Sequence, residues 1–247
     1  MIIEQPARFL RWIYPHAVWR MDPSEKAVYL TFDDGPIPEA TPFVLDVLKC
    51  YGIHATFFMV GDNVRKHPDI FRQVVMAGHR IGNHTFNHIG GFRWPSWKYL
   101  ENTRKAEEIM ENAVRACSLD PSNTFHSPLG LAASSSDSES EELSTLNSKL
   151  STLPSPLFRP PHGWMRPMQY QAIRRQGYRI IMWDLVTRDY SRRLTAEEVL
   201  ENVKHYARNG SIITFHDSLR SIEKLQIILP EALEWLIEKG YEFKIFE

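Results

Sequence analysis

Short apolar runs rich in β-branched and aromatic residues recur along this chain. Between them lie stretches whose apolar residues return every three or four positions. The first pattern predicts buried strands and the second amphipathic helices. AVYLTF (27–32) is the first run, followed by a helical segment around Val44, Leu45 and Leu48. ATFFMV (55–60) is the second. From Pro68 to Ala77, Ile70, Phe71, Val74 and Val75 form a helical stripe that Gly78 ends. HRIGNH (79–84) reads as a third strand and Tyr99–Ala116 as a third helix. A strand resumes at 158–159, with a helix over Met168–Gln176 stopped by Gly177. YRIIMWDL (178–185) is the fifth strand. Thr195 and Glu198 make a capping box for a helix running to Asn209-Gly210. SIITFH (211–216) is the sixth strand. A last helix, its main run opened by Pro230, ends at Gly240 before YEFKIF (241–246). Seven strands alternating with helices predict a parallel α/β architecture. A closed barrel and an open doubly wound sheet share that alternation.

One segment breaks the rhythm. Nine serines lie between Ser134 and Ser155, around an acidic DSESEE. Such composition buries too little apolar surface to offset its ordering entropy. The expected organisation is therefore an N-terminal arm (1–25) and a single domain (26–247), interrupted by a disordered insertion at about 117–157. Within the insertion, STLNSKLSTL reads as a marginal helix.

Composition narrows the class. The chain has 247 residues, enough for a full core, with 43% hydrophobic and 24% charged residues. Lys+Arg 29 against Asp+Glu 30 leaves a net charge of −1, which points to no nucleic-acid or anionic-membrane partner. Cys50 and Cys117 both fall in helical patterns, so reduced thiols are expected rather than a disulfide framework. The first residues break their apolar stretches with Glu4, Arg8, Arg11 and Arg20, unlike a secretory signal. No run approaches the length of a membrane span. A cytoplasmic location is the expectation.

The chemistry-bearing residues gather at strand ends. TFDDGP follows strand one, HTFNH strand three and RPPHG strand four; WDLVTRDY ends strand five and FHDS strand six. The carboxyl ends of parallel strands are where α/β folds assemble their sites. Two adjacent carboxylates, Asp33 and Asp34, are costly unless a cation or shared proton compensates. His84 and His88 are four apart, which in a helical turn puts both imidazoles on one face. With Asp34 they make the two-imidazole, one-carboxylate set that leaves a catalytic metal open positions for water and substrate. The second aspartate would then stand beside the ion as a base. Plainer readings remain: an Asx-type turn before Gly35-Pro36 and a pair of surface histidines. A phosphatase using an aspartyl-phosphate needs D-x-D rather than adjacent aspartates, and a HExxH protease needs a glutamate between its histidines.

Taken in order, these five motifs resemble those of the polysaccharide deacetylase family, the NodB homology domain of carbohydrate esterase family 4. The resemblance covers about residues 26–116 and 158–246. It implies a deformed (β/α)7 barrel and a hydrolase that removes N-acetyl groups from an amino sugar or polysaccharide. It also implies one divalent metal ion, zinc first, with cobalt or nickel as alternatives. By position, Asp34, His84 and His88 would be the metal ligands and Asp33 the general base. Arg159 would hold Asp33 ionised, and His216 would protonate the leaving amine. Pro161 and the backbone near His162 would line the substrate groove and oxyanion site.

Three positions depart from the family pattern. His162 stands where a Tyr is usual. Val186 replaces an acidic residue that tunes the catalytic histidine, a role open to Asp184 or Asp189. Thr214 replaces a Leu of the acetyl pocket. Trp183, like Trp94 and Trp97, is a candidate for stacking on a sugar ring or for plain packing. The departures support two alternatives: a non-catalytic carbohydrate-binding protein on the same scaffold, and a carbohydrate O-deacetylase.

Overall fold

The computed structural model describes residues 4–7, 9–119 and 156–247. Most of the expected insertion, including its STLNSKLSTL stretch, lies outside the described residues. The elements in chain order are α1 (Leu10–Ile13), β1 (Ala27–Asp33), α2 (Thr41–Tyr51), β2 (Thr56–Met59), α3 (Gly61–Lys66), α4 (Pro68–Met76), β3 (Arg80–Asn83) and α5 (Ser96–Leu119). After the undescribed stretch come β4 (Leu157–Phe158), α6 (Pro167–Arg175), β5 (Arg179–Ile180), β6 (Leu185–Val186), α7 (Ala196–Tyr206), β7 (Ser211–His216), α8 (Ile222–Glu238) and β8 (Glu242–Phe243).

All pairings are parallel, in the order β5-β4-β3-β2-β1-β7-β6, with β8 beside the start of β1. The two outermost strands, β5 and β6, lie on one continuous stretch of chain. Its start pairs with β4 and its end with β7, so the sheet curls round on itself as a deformed barrel. The single fifth strand expected over 178–185 is thus two short strands. The segment has to leave one neighbour to reach the other. Val18, from the N-terminal arm, fills the seam: its N–H donates to the Ile180 carbonyl (2.8 Å) and its carbonyl accepts from the Met182 N–H (2.8 Å).

Strand alternation divides β1 cleanly. Val28, Leu30 and Phe32 join the core between sheet and helices. Ala27 and Tyr29 face the barrel interior with Phe58, Ile181 and Ile212. In-register stacking of Phe32 on Phe57 and Phe215 (5.0 and 5.7 Å between centroids) locks the three central strands. That register sets Asp33, the next residue of β1, directly beside His216.

Two helical expectations change. Pro230 lies inside α8, which starts at Ile222 instead of near the proline. The buried stripe Leu225, Ile228, Leu229, Leu233 and Leu236 is continuous across it, and packing outweighs one lost backbone donor. The short α3 was not anticipated from apolar spacing; its sequence signal is the Asp62 pairing with Arg65 and Lys66. The capping box of α7 forms as expected, Thr195 with Glu198. Cys50 is a free, exposed thiol.

The N-terminal arm is tied to the barrel. Tyr14 is fully buried; its hydroxyl donates to the Met165 carbonyl (2.5 Å) and accepts from the Met165 N–H (3.1 Å). Among the described residues, no helix is long and apolar enough to cross a membrane.

Candidate active site

The barrel interior changes character along its axis. Below, Ala27, Tyr29, Phe58, Ile181 and Ile212 fill it. Two residues further along β1 and β7, Thr31 and Thr214 face each other (hydroxyls 3.1 Å apart), and above them stand Asp33 and His216. Arg159, following β4, reaches into this layer and is fully buried. Its guanidinium donates to Asp33 Oδ1 (2.6 Å), Thr31 Oγ1 (2.8 Å) and the carbonyls of Ile181 (3.2 Å) and Met182 (2.8 Å). It also lies 4.1 Å over the Phe58 ring. A buried charge with this many partners is held in one place. Burial pushes the Asp33 carboxyl above the usual range, while Arg159 and then His216 pull it down. The result is a carboxylate more basic than an exposed aspartate.

Asp34 leaves the strand with φ 87°, so the alternation that would separate adjacent side chains no longer applies. Its Oδ1 lies 3.2 Å from His88 Nε2 and 3.9 Å from His84 Nε2. Ligand atoms of Asp34, His84 and His88 all lie within 4.8 Å of one another. The two histidines are not on a helical turn, as their spacing suggests. They sit on a loop after β3, with Thr85 at φ 64° and His88 at φ 54°. Side chains supply the loop's acceptors: Asn83 for the Thr85 N–H (2.8 Å), Asn102 for the Phe86 and Asn87 N–H groups (2.9 and 3.0 Å), and Thr85 for the Ile89 N–H (3.1 Å). With those donors satisfied, the chain can turn more sharply than a helix.

His84 Nδ1 is 2.7 Å from the Arg159 carbonyl, which can only accept, so the proton sits on Nδ1 and the Nε2 lone pair is left toward Asp34. Burial, reinforced by His88, holds His84 well below its ordinary pKa, and burial lowers His88 as well. Neutral imidazoles are the metal-binding form. Asp34 Oδ1 is buried without a hydrogen-bond partner. An orphaned carboxylate oxygen facing two neutral imidazole nitrogens fits a divalent cation.

His216 carries the opposite charge preference. Asp189 accepts from His216 Nδ1 (2.8 Å) and from its backbone N–H (2.7 Å). Burial alone would lower this imidazole, but Asp189, aided by Asp34 and Asp33, brings it up to about 9. Of the two aspartates considered for this contact, Asp184 does not make it. Asp184 is turned to the other end of the barrel, where Arg208 (2.6 and 2.8 Å) and Ser211 (2.9 Å) take both its oxygens. Between Asp184 and Asp189 the chain makes β6 and a turn with Arg188 at φ 64°, and that turn delivers the later aspartate to His216.

The other predicted positions divide. His162, at φ 60°, lies edge-on to His88 (4.7 Å between centroids), so it borders the candidate metal centre. Pro161, the preceding residue, is buried. Trp183 packs against Gly163, where any Cβ would collide with its ring. Thr214 is 1% exposed and lies one layer below His216, bonded to Thr31. It is therefore not at an accessible acetyl-pocket surface; a hydroxyl there is matched by the Thr31–Arg159 polar layer.

Two supporting residues stand inside the motifs FHDS and HRIGNH. Asp217, in FHDS, is fully buried and accepts from the Gly35 N–H (3.1 Å) and the Thr41 hydroxyl (2.6 Å), fixing the loop that carries Asp34. Burial is the main reason its carboxyl is pushed up to about 8. Asn83, in HRIGNH, bonds the Thr103 carbonyl and the Tyr178 hydroxyl while holding Thr85.

Comparison with known proteins agrees with this geometry. Residues 20–145 match the family model described as polysaccharide deacetylase. A peptidoglycan-N-acetylglucosamine deacetylase of Bacillus cereus is 30% identical over 230 residues, 92% of this chain and 90% of that protein. A chitooligosaccharide deacetylase of Rhizobium leguminosarum bv. trifolii is 28% identical over 193 residues, 78% of this chain and 72% of that one. The crystal structure of a peptidoglycan N-acetylglucosamine deacetylase bound to a naphthalenyl N-hydroxybenzamide superposes with TM-score 0.75. It shares 26% identity over 96% of this chain and 94% of that one. The chain belongs to the polysaccharide deacetylase family, metal-dependent hydrolases that remove N-acetyl groups from carbohydrates.

Proposed function

We propose that this protein deacetylates N-acetylglucosamine residues of a cell-wall-type glycan, with Asp34, His84 and His88 holding one zinc ion. The observation that carries the reading is the meeting of three ligand atoms within 4.8 Å, flanked by an Arg-bound carboxylate and an Asp-bound imidazole. Two imidazoles and a carboxylate suit zinc, with cobalt or nickel able to use the same donors. Such an ion, when bound, supplies Lewis-acid polarisation of the amide carbonyl and eases ionisation of water.

The chain's own residues divide the proton transfers. Asp33, kept oriented by Arg159, accepts a proton from the attacking water. His216, protonated at neutral pH because Asp189 sits behind it, donates a proton to the departing amine nitrogen. Without that proton the amine is too poor a leaving group for the tetrahedral adduct to break forward. The two groups are register neighbours on β1 and β7, so one interstrand pairing sets their spacing.

The substrate class draws on the relatives, which are named for peptidoglycan and chitooligosaccharides. The contact of Asp189 with His216 supports a catalytic reading over a non-catalytic one despite the change at Val186. The test is acetate release from chitooligosaccharides and peptidoglycan by chelated protein, before and after zinc is restored. Activity should return with metal, and His84→Ala should abolish both metal uptake and turnover. Metal-independent release, or release only from O-acetyl esters, would overturn the reading. The cytoplasmic location expected from the N-terminus is tested by fractionating cells into cytoplasm, membrane and wall.

A further inference from the structure

A second charged cavity lies at the opposite end of the barrel. About 450 Å3 in volume, it is lined by Arg11, Trp12, Arg20, Asp184 and Arg208, among others. Asp184 immediately precedes β6 and Arg208 lies just before β7. Because the strands are parallel, this is the amino-terminal end, away from Asp33, His84 and His216 at the carboxyl ends.

The charges do not cancel there. Asp184 is fully buried and saturated by Arg208 and Ser211, which neutralises one guanidinium. Arg20 commits its Nε to the Asn209 carbonyl (2.8 Å), and Arg11 shares Asp184 with Arg208 through a longer ion pair (3.7 Å), so three guanidinium groups face one carboxylate. Of the arm's acidic residues, Glu4 is paired with Arg188 at 2.5 Å and Asp22 accepts from Ser24, and neither lines the cavity. Two guanidinium charges are left at the cavity. A net charge of −1 for the whole chain conceals this local excess.

Beside the cavity, α1 shows an apolar face to water. Phe9, Trp12 and Ile13, at i, i+3 and i+4, are 52%, 85% and 39% exposed, while Tyr14 on the other side of the turn is buried. Clustered exposed apolar side chains on a globular protein mark a contact surface. Aromatic residues beside arginines are the composition of a membrane interface, where rings enter the headgroup boundary and guanidinium groups meet phosphate. A polyanion such as nucleic acid would need a track of cations rather than one basic cavity under an apolar turn.

We propose that this face docks on an anionic lipid bilayer, with Arg11 and Arg20 taking lipid phosphate and Trp12, flanked by Phe9 and Ile13, entering the interfacial zone. The catalytic end of the barrel then points away from the membrane. The attachment does not depend on turnover, so its failure and that of the deacetylase reading are separable.

The test is sedimentation of the full chain with vesicles of phosphatidylcholine alone, or with about one-third phosphatidylglycerol. Binding is expected to the anionic vesicles only and to weaken with added salt. Arg11→Ser and Arg20→Gln should each weaken it about fivefold at low ionic strength, and Trp12→Ser should weaken it several-fold. All three should keep wild-type turnover of a short soluble N-acetylated oligosaccharide, which reports an intact fold. Arg208 is left unchanged because its loss would strip Asp184 of its partner. As a second measurement, lipids brominated near the headgroup should quench wild-type tryptophan emission, and Trp12→Phe should lose that quenching. No binding to either vesicle, equal binding to both, or anionic binding that all three variants retain would each overturn the proposal. So would tight binding of inorganic phosphate without vesicle binding, which would make the cavity a small-anion site.

Discussion

Replacing Asp189 by Asn removes one charge from behind His216 and changes little else in size. The carboxylate accepts three hydrogen bonds, from His216 Nδ1 and Tyr190 N at Oδ1 and from His216 N at Oδ2. Asn can keep the oxygen where two donors converge, leaving its NH2 against the His216 backbone N–H. The electrostatic consequence is larger. Asp189 and its neighbours carry the imidazole from an ordinary 6.5 to about 9 although burial acts the other way. That displacement corresponds to roughly 3 kcal/mol of preference for the protonated ring. A raised pKa means the acid form persists as pH rises and is lost only near 9. In Asp189→Asn the ring should return to 6.5 or below, leaving about one molecule in ten protonated at about pH 7.5. Turnover at that pH should fall about tenfold or more, carried by kcat rather than KM. The alkaline limb of the kcat profile should move from near 9 to below about 7. Acetate release measured from about pH 5 to about 10, alongside NMR titration of the His216 ring, reads both effects. An alkaline limb that stays near 9 in the variant would refute the assignment of His216 as a proton donor tuned by Asp189.

Arg159→Lys offers one ammonium to four acceptors that now share a guanidinium, and should cost about 3–5 kcal/mol in denaturant unfolding; a cost under about 1 kcal/mol would contradict the buried network. Gly35→Ala places a methyl inside the Asp217 carboxylate, so it should lose about 1–3 kcal/mol. Combining it with Asp217→Ala should cost less than the two single changes summed, and strict additivity would argue against the contact. Asp217→Asn should be tolerated near neutral pH, because the amide oxygen can serve Gly35 and the amide nitrogen can donate to Thr41. Wild-type Asp217 holds its proton when folded up to about 8 but only to 3.8 when unfolded, so its contribution declines as pH rises between those values. The asparagine variant lacks that slope, and unfolding curves at about pH 5 and about pH 8 should show the gap shift in its favour.

Much of the site could be read before any coordinates because strand ends announce themselves. A buried strand is a local apolar run, and the polar residue that terminates it is placed by period and turn chemistry alone. The clusters that hold Asp33, Asp34, Arg159 and His216 are placed in that way, whereas the roles of Arg159 and His216 come from the family resemblance; α7 is bounded by the capping box at Thr195 and Glu198. The errors fall where one residue's role depends on another element. Asp184 and Asp189 both lie within three residues of Val186, yet Arg208, from the connection after α7, claims the first and His216 the second. The spacing of His84 and His88 suggested a helical turn, whereas Asn83 and Asn102 hold a loop with positive φ. Pro230 looked like a helix start because apolar spacing does not record how strongly the preceding turn is packed.

The chain itself determined the inventory: which segments are strands, which side chains cap them, and that two carboxylates, two imidazoles and an arginine stand at the same end of a parallel array. These follow from short-range periodicity and backbone preference, which act within a few residues. Only the tertiary structure decided which atoms meet. Curling of the sheet through the split segment 179–186 brings strand ends together, and the register of β1 on β7 sets Asp33 beside His216. At the other pole, Arg11 and Arg20 of the N-terminal arm meet Arg208 around a cavity. Distances between elements depend on register and curvature summed over the whole sheet, and no local stretch of sequence encodes that sum.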